Sequence, residues 1–71
     1  MELFILKTNV RSSVMRDVLA LQINQIPQIK KWSVDYQDCD GVLRASAEGL
    51  SINSLMALIV QWGFECEELN D

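Results

Sequence analysis

Seventy-one residues, 49% of them hydrophobic and 23% charged, suffice for one small folded unit over 1–71 and leave no room for a second. The absence of histidine and the presence of only two cysteines exclude imidazole acid–base chemistry and a four-ligand Cys/His zinc cage. A formal charge of −4 makes a small acidic protein and argues against nucleic acid and anionic membrane surfaces, whose phosphates require a basic face.

Residues 2–8 alternate, with Phe4, Leu6 and Thr8 on one side and Leu3, Ile5 and Lys7 on the other, which predicts a central strand apolar on both faces. The same stretch carries Glu2 where a signal peptide has its basic region, so no targeting segment is expected. Asn9 to Ser13 break the alternation, and Ser12 or Ser13 can cap a helix by accepting from an amide of its first turn. That helix is expected to run to about Ile26, with Met15, Val18, Leu19, Ile23 and Ile26 inward and Arg16, Asp17, Ala20 and Asn24 opposite. Pro27 ends it by disfavouring the helical conformation at the residue before it.

Residues 30–37 alternate again, Trp32, Val34 and Tyr36 against Ser33, Asp35 and Gln37, as in a half-buried strand. Asp38-Cys39-Asp40-Gly41 has the composition of a tight turn, so 42–48 should return as a hairpin partner with Leu43, Ala45 and Ala47 inward. After Gly49, Ser51 can cap a second helix over 52–62. Gly63 stops it, and 64–68 form a short last strand with Phe64 and Cys66 on one face. The longest later apolar run, Leu55 to Val60, is far short of the roughly 20 residues that cross a bilayer.

The order β-α-β-β-α-β predicts an α+β fold, a ferredoxin-like sandwich with both helices on one face of a four-stranded antiparallel sheet. An RNA-recognition module shares that order but needs exposed aromatics on its central strands. Here the other face would carry Leu3, Ile5, Lys7, Val42, Arg44 and Ser46. No catalytic constellation stands out, because no candidate nucleophile has a base to activate it, and a non-enzymatic role is expected. Cys39 between two aspartates reads as turn chemistry rather than a metal site, since hard and soft donors seldom select one ion. Cys66 reads as a small buried hydrophobe, and Glu65, Glu67, Glu68 and Asp71 as a solvated edge.

One pattern exceeds what a lone domain needs. Ile52, Leu55, Met56, Leu58, Ile59, Val60 and Trp62 span about 200° of the second helix, more than a helix resting on a sheet hides. With Leu3 and Ile5 on the open sheet face, and Val14 and Leu21 on the first helix's shoulder, Met56 and Val60 mark a candidate interface for a protein partner or a second copy.

Leu6-Lys7-Thr8-Asn9-Val10 leading into Ser12 to Met15, with Leu19 and Ile23 following at helical spacing, resembles the heavy-metal-associated domains of the copper-chaperone-like family. Gln28-Ile29 before Trp32-Ser33-Val34-Asp35, and Gly63-Phe64 before the closing strand, fit later landmarks of that family. The resemblance implies a ferredoxin-like fold and a soft-metal site formed by Cys-x-x-Cys, yet those two cysteine positions hold Ser12 and Met15. A soft ion such as Cu(I) is held by thiolate or thioether sulfur, so Ser12 reads as a helix cap and Met15 as core packing. The expectation is a domain without metal or other cofactor that acts through protein contacts. Two alternatives stay open. One is Cu or Zn binding or delivery through Met15 with Cys39 or Cys66; the other is a small-molecule sensor of the ACT type. Two thiols without a secretory signal suit a reducing cytoplasm.

Overall fold

The computed structural model describes residues 2–69; Met1, Asn70 and Asp71 lie outside them, and with Asp71 the end of the expected acidic edge. The elements are β1 (Glu2–Thr8), α1 (Ser13–Ile23), β2 (Ile29–Asp35), β3 (Val42–Ala47), α2 (Ile52–Gln61) and β4 (Cys66–Glu68). This is an α+β fold whose four strands form one antiparallel sheet in the order β2-β3-β1-β4. No helix among the described residues is long and apolar enough to cross a membrane.

The alternation in β1 places its even-numbered residues inward. Phe4, Leu6 and Thr8 are buried, and the register sets Phe4 opposite Ala45 and Leu6 opposite Leu43. Leu43, Ala45 and Ala47 of β3 are buried as expected, and the two alanines leave room above the middle of the sheet for helix side chains. Leu19 and Ile23 of α1 and Leu55 and Ile59 of α2 fill that room in one continuous core cluster, so both helices cover the same face.

Four departures from the sequence expectations have local causes. First, α1 stops at Ile23, one turn before Pro27. The Gln25 amide bonds the Gln22 carbonyl and the Ile26 amide the Ile23 carbonyl, a tightened turn that carries the chain out of the helix ahead of the proline. Second, Val18 is 45% exposed rather than inward, because Leu19 and Ile23, four residues apart, set the inward direction and Val18 stands about 100° away from Leu19. Ala20, expected outside, is half-buried. Third, β2 spans 29–35 instead of 30–37: Asp35 Oδ1 accepts from the amides of Gln37 and Asp38 at 3.2 Å each and turns the chain out of the sheet. Fourth, β4 is only three residues, since the Phe64 amide is taken by the Ile59 carbonyl and the Glu65 amide by Asn9 Oδ1.

The β2–β3 connection does more than reverse the chain. Gly41 is buried with φ 51°, and a Cβ there would sit 2.6 Å from the Thr8 carbonyl oxygen and 2.9 Å from that of Val10. The Thr8 amide bonds the Asp40 carbonyl at 3.0 Å, and the Thr8 hydroxyl donates to the Gly41 carbonyl. Val42, expected on the open face, is buried where it follows this turn back against the end of β1. Gly41→Ala should therefore cost about 3 kcal/mol, combining left-handed strain with a backbone clash. Gly49→Ala, at φ 73° with nothing within 4 Å, should cost only about 1 kcal/mol. Urea unfolding of the two variants checks the difference; equal losses would mean that the contact with Thr8 contributes nothing.

Candidate functional site

The end of the sheet where β1 enters α1 is the place to which the resemblance assigns a metal. Ser12 is extended (φ −146°, ψ 164°), and its hydroxyl accepts from the Met15 amide at 3.2 Å while its carbonyl accepts from the Arg16 amide. The hydroxyl thus occupies an amide that the helix start would leave without an intrahelical partner. Met15 is half-buried and packed against the core. The loop before them is tied back to Thr8. Val10 is fully buried and its amide reaches Thr8 Oγ1 at 3.3 Å; Arg11 Nη1 donates to the Thr8 carbonyl at 3.0 Å.

Of the two cysteines, Cys66 lies at this end of the sheet, paired with Thr8 across the β1–β4 ladder. Cys66, half-buried on β4, directs its thiol to the Met56 carbonyl at 3.6 Å, and burial pushes its pKa above the ordinary thiol value. Cys39 is exposed, and both cysteines are free thiols. Among the described residues the one group of Cys, Asp and Glu whose ligand atoms converge is Asp38, Cys39 and Asp40, within 4.8 Å of one another. Its carboxylates already have partners: Asp38 Oδ1 accepts from the Asp40 amide at 2.9 Å, and Asp40 faces Lys7 Nζ at 3.7 Å. These bonds fold the turn, and the residues come from one short segment that offers ligands from a single side.

Shallow grooves lie on two faces among the described residues. One, of about 260 Å³, lies beside the β1–β4 pair and is lined by Lys7 and Arg11 together with Glu65 and Glu67, cations and carboxylates already side by side. The other, of about 240 Å³, lies on the sheet face opposite the helices between Leu3, Lys31, Ser33, Arg44 and Ser46.

The apolar surface is more distinctive. Of the candidate interface residues, Leu3 is 61% and Val60 58% exposed, while Ile5 and Met56 are half-buried. They do not share one surface, since Leu3 and Ile5 belong to the uncovered sheet face and the α2 residues to the opposite layer. On α1, Val14 is 70% and Leu21 68% exposed, and Val18 falls between them. Spaced i, i+4 and i+7, these three occupy about 60° of the helix and form a second apolar stripe pointing away from the core. The spacing is present in the sequence, but a helix with two apolar stripes does not say which one the sheet takes.

The chain matches no family model, no curated protein and no solved structure.

Alkylation tests the placement of the two thiols. Cys39 should label at once in the folded protein, whereas Cys66 should lag behind an unfolded control and follow a pH profile displaced upward. The linkage has a defined sign. A thiol whose folded pKa lies above its unfolded value adds stability that is complete below the unfolded pKa and is lost as pH rises through the folded one.

Proposed function

We propose that this chain is a ferredoxin-like domain of the heavy-metal-associated type that has exchanged its metal ligands for structural residues and works, without catalysis, by binding protein. The strand order β2-β3-β1-β4 with one helix after β1 and another after β3 supports the ferredoxin-like assignment. The observation that carries the functional reading is the stripe of Val14, Val18 and Leu21, three of the five large hydrophobic side chains exposed among the described residues, with Leu3 and Val60 standing apart on other surfaces. Single exposed hydrophobes are ordinary, but three at helical spacing on the outer face of one short helix form a patch that water disfavours and a partner would cover. The use of Ser12 as a cap and of Met15 in packing supports the absence of a Cu(I) site at the family position. Two free thiols, one of them exposed, suit a reducing cytoplasm.

Two measurements test this reading. The reduced protein should show no stoichiometric Cu(I) uptake against a competing chelator, while Ser12→Cys/Met15→Cys should gain a one-to-one site because the loop already has a defined shape. Tight binding by the unaltered chain overturns the ligand-loss reading, and failure of the double variant to bind counts against the family assignment. Val14→Lys/Leu21→Lys should leave stability within about 0.5 kcal/mol, since neither side chain reaches the core, and should abolish capture of any partner that Asn53→Lys still captures. Capture that survives the α1 variant moves the binding surface elsewhere.

A further inference from the structure

The sheet has two free edges, and they differ. β4 is three residues long and carries Glu67 and Glu68, so a second copy offered there would meet like charge across a very short ladder. β2 is seven residues long and bonds a strand on one side only, leaving alternate N–H and C=O groups facing outward. A register shift between Ile29 and Lys31 interrupts its ladder with β3, and the regular part is Lys31 to Asp35, centred on Ser33.

That five-residue segment is complementary to its own reverse. Lys31, Ser33 and Asp35 share the face of the sheet opposite the helices, since they pair with Ser46, Arg44 and Val42, while Trp32 and Val34 share the helix side and are half-buried. An antiparallel copy placed by a two-fold axis through Ser33 sets Lys31 opposite Asp35, Trp32 opposite Val34 and Ser33 opposite itself, each heterologous pair occurring twice. A two-fold through Trp32 or Val34 loses both charge pairs. An axis between residues sets a helix-side position against an open-face one, which the pleat forbids. Neither Lys31 nor Asp35 has an ion-pair partner among the described residues, and Asp35 is held in place by its two bonds to turn amides.

We infer that the partner of the β2 edge is a second copy of this chain, joined by a two-fold axis at Ser33 into one continuous eight-stranded sheet. The inference rests on the proposed role in protein association and names a partner for it. In that pair the four helices lie on one side, which brings two α1 stripes into one assembly.

Sedimentation velocity of the full chain, carried to millimolar concentration, tests it. The unaltered chain should shift from monomer toward dimer mass, and more weakly as salt is raised. Lys31→Glu makes both ends of the segment acidic and Asp35→Lys makes both basic, so each should weaken its own dimer about tenfold or more by facing like charges. An equimolar mixture of the two variants should recover dimer mass, because the acidic edge of one chain then meets the basic edge of the other at both positions. Asp35→Asn keeps an acceptor for the turn amides, so the weakening it causes is electrostatic. A chain that stays monomeric throughout, or a dimer indifferent to Lys31→Glu, overturns the inference. A dimer lost instead in Val14→Lys/Leu21→Lys overturns it too, while leaving the association role intact on α1.

Discussion

The contact on which the rest of the architecture depends is the seating of the Asp38–Gly41 turn against the end of β1. Thr8 offers its amide to Asp40 and its hydroxyl to Gly41, while Gly41, without a side chain, lets the two backbones approach closer than any Cβ would permit. The turn holds β2 and β3 together, β3 pairs with β1, and β1 leads straight into the loop that starts α1. One buried threonine therefore ties a contact 33 residues distant in sequence to the entry of the first helix. The hydroxyl also accepts from the Val10 amide, so it is satisfied both as donor and as acceptor, as a polar group in this interior must be. The Lys7–Asp40 ion pair beside it is half-exposed and adds little by comparison.

Most of the fold was legible because strands and helices here obey simple periods. The alternations of β1 and β3 assign Phe4, Leu6, Leu43, Ala45 and Ala47 to the core without reference to tertiary structure. Glycine punctuation located the second helix and the hairpin, and a serine cap the start of α1, whereas Pro27 placed the end of that helix three residues too late. What was not legible came from side chains acting on backbone across a turn. Asp35 ends β2 early by accepting two amides, and Asn9 shortens β4 by taking the Glu65 amide from 56 residues away. The Asp35 bonds are local turn chemistry competing with an alternation that continues to Gln37, whereas local propensity carries no record of the bond between Asn9 and Glu65.

The candidate site was legible in a different measure. Ser12 as a cap followed from its residue type and position, while Cys66, expected as a small buried hydrophobe, is only half-buried on β4. The α1 surface was misassigned at Val18 because two apolar stripes coexist on that helix and only packing against a particular sheet chooses between them. The edge character of β2 was beyond any reading of its own residues, since whether a strand is an edge is a property of the strand order.

The serine cap at the start of α1 has a bearing on how the domain lives with its surroundings. Where a loop is closed by a metal between thiolates, the order of that loop follows ion supply, proton activity and the redox state of the sulfur. A hydroxyl bonded to an amide answers to none of these. The segment from Asn9 to Met15 is held by bonds within the protein, between Ser12 and the Met15 amide, between Val10 and Arg11 and the Thr8 oxygens, and between Asn9 and the Glu65 amide. None of these bonds involves a thiol, so oxidising conditions leave the entry to α1 as it is.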